Sequence, residues 1–122
     1  MTPEALREAI RAILSAHPAI SMSSRGHAAH AERYVARGKF PIGFEPARVR
    51  HQNIWVRADT VRLARLSDIK HVLHDHRTFN HSKPNHDLFA EPTFKDADLV
   101  CFQVTELWQA VRVVLEVAGE GI

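Results

Sequence analysis

Histidines and cations are spaced in this chain as phosphate chemistry would need them. NHSKPNHD, residues 80 to 87, places His81, Lys83 and His86 close together, and the run KHVLHDH just before it holds His71, His74 and His76. Imidazole titrates near neutral pH, so one histidine as base and another as acid can move the protons of a 2′-hydroxyl attack on its own phosphodiester. Lys83 or Arg77 would supply the cation for the developing charge. The catalytic candidates on this reading are His71, His74, His81, Lys83 and His86, with neither a metal nor a cofactor expected. Zinc is an alternative use of the same side chains. His71 and His74, three apart on a helix, would share a face, and His81, His86 or Asp87 would complete the set, although no HExxH is present. The plainest alternative is a solvated helix face followed by a turn of Asn, Ser, Pro and Asp, residues that turns favour.

A second group would bind rather than cleave. On helical spacing His30, Arg33 and Arg37 share one face, a ridge able to follow a phosphate backbone, and Arg48, Arg50, Arg57, Arg62 and Arg65 continue the excess. Trp55 falls on the same strand face as Arg57, and an aromatic beside a guanidinium makes a stacking surface for unpaired bases. The nucleic-acid-binding candidates are therefore His30, Arg33, Arg37, Trp55, Arg57, Arg62 and Arg65. The competing reading buries Trp55 under a helix and leaves the arginines as the wet face of a hairpin. Other chemistries fit less well: Asp96 and Asp98 precede LVCFQV without the Glu-x-Lys of a two-metal nuclease, the glycines are scattered rather than looped around a phosphate, and Cys101 lies inside an apolar run as a small buried thiol would.

These residues must be positioned by local elements. Thr2 as N-cap, Pro3 in the first turn and Leu6, Ile10, Ile13 and Leu14 at helical spacing predict a first helix, stopped by His17-Pro18. Residues 26 to 37 predict a second helix with Gly38 as its stop, and residues 39 to 52 an aperiodic connection with at most a short strand. NIWVR and the VRLARL run from Val61 alternate around Ala58-Asp59-Thr60, which predicts a β-hairpin, with a helix over residues 60 to 66 as competitor. Ser67 would cap a helix to His76 whose buried stripe is Ile69, Val72 and Leu73. Residues 77 to 98 read as a long loop, LVCFQV as a central strand, and the residues after Thr105 as a last helix burying Leu107, Trp108, Val111, Val114, Leu115 and Ala118 before Gly119.

The expected fold class is therefore α+β: a small single domain with a three- or four-stranded sheet and the order α-α-β-β-α-β-α. Its expected core comprises Leu6, Ile10, Ile13, Ile54, Val56, Leu73, Leu99, Phe102, Val111 and Leu115.

At 122 residues, with 45% apolar and 25% charged residues, the composition fits a globular chain and neither a disordered tail nor a coiled coil. No apolar run reaches the roughly 20 residues of a membrane span, so a soluble, cytoplasmic protein without a membrane partner is expected. The single cysteine closes no internal disulfide. The net charge of +2 conceals an asymmetry: residues 25 to 77 carry eleven basic and five acidic groups, and residues 78 to 122 three basic and seven acidic.

The fragments HAAHAERYVARGK and SDIKHVLHDH, about a fifth of the chain, resemble segments of small bacterial ribonuclease toxins. That resemblance implies RNA as substrate and transfers no catalytic residue. Three functions remain open. A nucleic-acid-binding domain, RNA favoured, explains the charge asymmetry; a metal-independent ribonuclease explains the histidine-rich loop as well; a non-enzymatic interaction subunit with a protein partner, such as an immunity, antitoxin or phage structural protein, suits a short orphan chain.

Overall fold

The computed structural model describes residues 1 to 24, 26, 27, 31 to 46, 50 to 79, 84 to 90 and 92 to 119, with the side chains of His86 and Ala90 excepted. The architecture is α+β, with two helices and a six-stranded antiparallel sheet. α1 (Pro3–Ala16) leads into β1 (Ile20–Met22), β2 (Glu32–Ala36), β3 (Phe40–Glu45) and β4 (Gln52–Arg57). After β5 (His71–His74) and β6 (Leu99–Val104), the last element is α2 (Leu107–Val117). The strand order is β1-β2-β3-β4-β6-β5, so β6 lies between β4 and β5.

Local signals account for the parts that match expectation. Thr2 accepts the Ala5 N–H at 3.0 Å, Pro3 opens α1, and the chain leaves the helix at His17. LVCFQV is β6, paired on both sides and almost wholly buried. α2 begins one residue later than the Thr105 cap implied, on a capping box between Glu106 and Gln109. Its buried face is Ala110, Val113, Val114 and Val117, whereas Trp108 is half exposed and Val111 and Leu115 are only partly buried.

The second helix expected over residues 26 to 37 is replaced by β2. Glu32, Arg33, Tyr34, Val35 and Ala36 carry no clear alternation, and it is the adjoining FPIGFE segment that gives this strand its partner. Arg37 (φ +55°) and Gly38 (φ +74°) are both left-handed, and the Lys39 N–H reaches the Ala36 carbonyl at 3.1 Å, so Gly38 turns a hairpin instead of ending a helix. Pro41 is tolerated inside β3 because the ladder with β4 starts only at Ile42. The expected hairpin after Arg57 is likewise corrected. Residues 58 to 66 form two 3-10 turns, Ala58–Thr60 and Leu63–Leu66, and β4 pairs with β3 and β6.

The helix expected from Ser67 to His76 is β5. Its backbone completes the ladder of β6, whose buried polar groups would otherwise lack partners. Ile69 is buried, but Val72 and Leu73 are exposed at 42% and 55% on this edge strand, so Leu73 leaves the expected core. The sheet thus carries two cores. Tyr34, Ile42, Phe44, Ile54, Val56, Val100 and Phe102 face the helices. Trp55, Leu99 and Cys101 face the other way and are covered by Phe79, Leu88, Phe89 and Phe94 from the segment expected to be an open loop. Among the described residues no helix is long and apolar enough to cross a membrane.

Candidate nucleic-acid interface

One end of the sheet collects the charged residues. The β2–β3 turn brings Arg37 and Lys39 there, the end of β4 brings Arg57, the turns that follow bring Asp59, Thr60 and Arg62, and the start of β6 and the end of β5 bring Asp98, Asp75, His76 and Arg77. The register places Arg57 and His74 on either side of Leu99, and the Ala58 N–H donates to the Asp98 carbonyl at 2.8 Å. Among the described residues, two concavities at this edge adjoin through Asp59 and Thr60. Lys39, Phe40, Arg57, Asp59 and Thr60 line one of about 170 Å³. Arg37, Asp59, Thr60, Arg62, Glu116 and Gly119 line the other, of about 270 Å³. Asp59 and Thr60 belong to both.

The cations differ in how they are held. Arg57 gives Nε and Nη2 to Asp59 at 3.0 and 2.8 Å and Nη1 to Asp96 and the Thr93 carbonyl, both at 2.9 Å. It clasps the covering segment to β4, and its hydrogen bonds hold the Asp59 carboxyl below the usual carboxylate range. Arg62 meets the buried Glu116 at 2.7 Å, and Arg65 approaches the same carboxylate at 3.8 Å. The Arg62 hydrogen bond lowers the Glu116 pKa against the opposing effect of burial. Arg37 and Lys39 instead lie 5.1 Å from the Phe40 ring centre, each over its face. Among the described residues that line the two concavities, four cations, Arg37, Lys39, Arg57 and Arg62, stand against two carboxylates, Asp59 and Glu116, a surplus of two positive charges.

Of the binding candidates, Arg37, Arg57, Arg62 and Arg65 are brought together. Arg33 is not. It is 5% exposed, and its guanidinium donates to the Gly26 and Asp87 carbonyls at 2.7 and 2.8 Å, anchoring the covering segment. Trp55 is 4% exposed in the second core and bonds Glu45 through Nε1 at 3.3 Å, so no base can stack on it. His30 lies outside the described residues, as do His81, Lys83 and the side chain of His86. Lys39 and Phe40 were missed because KFPIGFEP has no period, and only the β2–β3 turn brings them beside Arg37 and Arg57.

His71 and His74 do not share a face. An odd separation along a strand points them to opposite sides, which also removes the helical pair from a zinc site. His71 packs 5.7 Å from Phe102 with Nδ1 2.8 Å from the Ile69 carbonyl, while His74 lies 4.9 Å from Trp55, where burial lowers its pKa. His76, named in the KHVLHDH run but not among the catalytic candidates, is the histidine with a carboxylate partner. Its Nδ1 is 2.7 Å from Asp98, whose carboxylate also accepts the His76 backbone N–H at 3.0 Å. This commits Nδ1 and leaves Nε2 for proton exchange, an arrangement suited to general acid–base work. Asp75, held by Arg77 and with its pKa brought down to about 2, lies 3.8 Å from the same nitrogen. Ligand atoms of Asp75, His76 and Asp98 come within 4.8 Å of one another, but Arg77 engages both Asp75 oxygens, so an ion would have to displace it.

No family model, curated protein or solved structure matches this chain. The site's chemistry therefore rests on its own geometry.

Proposed function

We propose that the chain binds single-stranded nucleic acid, RNA in preference, through this basic end of the sheet. The observation that carries the reading is the convergence of Arg37, Lys39, Arg57 and Arg62, supplied by the β2–β3 turn, β4 and the turns after it, around one pair of concavities. A surplus of two positive charges among the described lining residues favours a short phosphate track. Binding measured by polarisation against salt should give a logarithmic slope of about −1.4, since each neutralised phosphate of a single strand contributes roughly −0.7. Arg37→Ala and Lys39→Ala should each flatten it. An affinity indifferent to salt overturns the reading, and an equal affinity for the matching DNA strand overturns the preference for RNA.

A second reading, metal-independent cleavage of RNA, is favoured by the His76–Asp98 hydrogen bond at the same sheet end. It moves the chemistry from the His71, His74 pair to a residue whose orientation a carboxylate maintains.

A further inference from the structure

β5 ends the sheet on one side, and the register fixes which of its backbone groups face outward. The Gln103 N–H donates to the Lys70 carbonyl at 2.8 Å, so Lys70, Val72 and His74 turn their backbone groups towards β6. His71, Leu73 and Asp75 therefore turn theirs away from the sheet. Among the described residues no hydrogen bond reaches the N–H or C=O of His71 or Leu73 on that side, while the Asp75 carbonyl accepts from Thr78 in the turn that follows. HVLH contains no proline, lysine or bulge, the usual devices that blunt an edge. The exposed large apolar residues among those described are Met1, Met22, Val72, Leu73 and Trp108, and the adjacent pair, Val72 and Leu73, lies on this open edge.

We propose that β5 pairs with β5 of a second copy of the chain, antiparallel about a two-fold axis at Leu73, so that one sheet continues across both molecules. Outward-facing residues must oppose outward-facing residues, so the axis falls on a residue and not between two. Centred on Leu73, the pairing sets Leu73 against itself, Val72 against His74 and His71 against Asp75, and it brings Lys70 to the turn at His76 of the other copy. Charge selects this centre. Asp75 and Asp98 share one arginine, Arg77, and the His76 imidazole, which leaves an excess of one negative charge in the group while His76 is neutral. Lys70 is exposed and has no ion pair among the described residues, so the second copy supplies the missing cation. An axis at Val72 would instead set Lys70 against His74 and the buried Ile69 against Asp75, and an axis at His74 would set Leu73 against Asp75. The Leu73 pair exchanges both N–H···O bonds and each Asp75 N–H reaches a His71 carbonyl, about four backbone hydrogen bonds in all. So short a ladder makes a reversible dimer.

Sedimentation equilibrium of the full chain over a concentration series tests the pairing. The wild type should pass from the mass of one chain to the mass of two as concentration rises. Leu73→Lys sets like charges face to face on the axis and should weaken association by about tenfold or more, while the exposed position leaves the thermal midpoint of dilute protein unchanged. Lys70→Glu, which brings a carboxylate to Asp75 and Asp98, should weaken it in the same direction. Cross-linking reads the register. Under mild oxidation Leu73→Cys should give a disulfide-linked dimer, because directly opposed residues of a hydrogen-bonded pair have Cα atoms about 5.5 Å apart, whereas Val72→Cys lies out of register with its own copy and should not. Cys101, 3% exposed, adds no link of its own. A dimer that persists in Leu73→Lys, or equal linking of the two cysteine variants, overturns the inference. A wild type that stays monomeric up to about 1 mM overturns it as well and leaves the edge to a strand from a different protein.

Discussion

Leu88 packs directly onto the bare backbone of Gly43, and one of its methyl carbons lies where a Cβ at Gly43 would have to be. The contact joins the covering segment to the middle of the sheet, and with Arg33 and Arg57 it explains why Leu88, Phe89 and Phe94 pack into a second core. Gly43→Ala should therefore destabilise the protein by about 1 to 3 kcal/mol, as overpacking does. Leu88→Ala alone should cost roughly 2 to 5 kcal/mol, and less in the Gly43→Ala background, because the truncation then makes room for the added methyl. Urea unfolding of the four proteins measures the coupling. Strict additivity would mean that the two residues do not touch.

Acid sensitivity should come in two stages. His74, half-buried beside Trp55, has a pKa below its ordinary 6.5, so the unfolded chain takes up a proton there before the native state does. Stability thus falls as pH drops through that value. Glu116, like Asp59, Asp68, Asp75 and Asp98, has its pKa lowered from the ordinary carboxylate value, through hydrogen bonds from arginines or from His76. For Glu116 the stabilisation is complete above its ordinary 4.5 and is lost as pH falls through the lowered pKa. In thermal melts across pH, His74→Phe should remove the first loss, and Glu116→Gln should lower stability at neutral pH by roughly 1 to 3 kcal/mol while flattening the second. A wild-type midpoint constant between about pH 7 and pH 5 would contradict the His74 assignment, and one constant from about pH 5 down to about pH 2 would contradict the Glu116 assignment.

What could be read from the chain was whatever rests on adjacent residues. The Thr2 cap, the Pro3 start and the LVCFQV strand are local, and the structure agrees with them. β2 and β5 read as helices because short runs such as ERYVA and HVLH fix neither period, and only the neighbouring strands decide between them. The site follows the same division. Arg37, Arg57 and Arg62 stood out as a basic excess, but their meeting depends on the β2–β3 turn lying beside the end of β4. His76 and Asp98 are 22 residues apart and meet because His74 pairs with Leu99, a register invisible when β5 is read as a helix.

Cys101 tests the second core chemically. It is 3% exposed beneath the covering segment, and burial pushes its thiol up to about 12. The reactive species is the thiolate, so the native protein should resist a disulfide reagent near pH 8 and react stoichiometrically once unfolded. Phe94→Ala, which thins the cover, should accelerate the reaction by loosening local opening. Prompt labelling of the native wild type would show that the cover is not closed.

The His76–Asp98 hydrogen bond makes the cleavage reading testable apart from binding. If RNA is cut, the 2′-hydroxyl loses its proton to His76 Nε2, the 2′-oxygen bonds to phosphorus, and the P–O5′ bond breaks with a proton returned to the leaving oxygen. The products would be a 2′,3′-cyclic phosphate and a 5′-hydroxyl, with no metal consumed or required, so EDTA should leave the rate unchanged. His76→Gln should lower the rate by about 10² to 10⁴ with little change in binding, the usual contribution of a positioned acid–base group. Asp98→Asn should lower it less, because the amide still accepts a hydrogen bond but no longer stabilises the imidazolium. A 2′-O-methyl strand should bind and remain whole, since it lacks the attacking hydroxyl. Should His76→Gln cleave at the wild-type rate, the dyad is a structural contact between β5 and β6, and the sheet end is a binding surface alone.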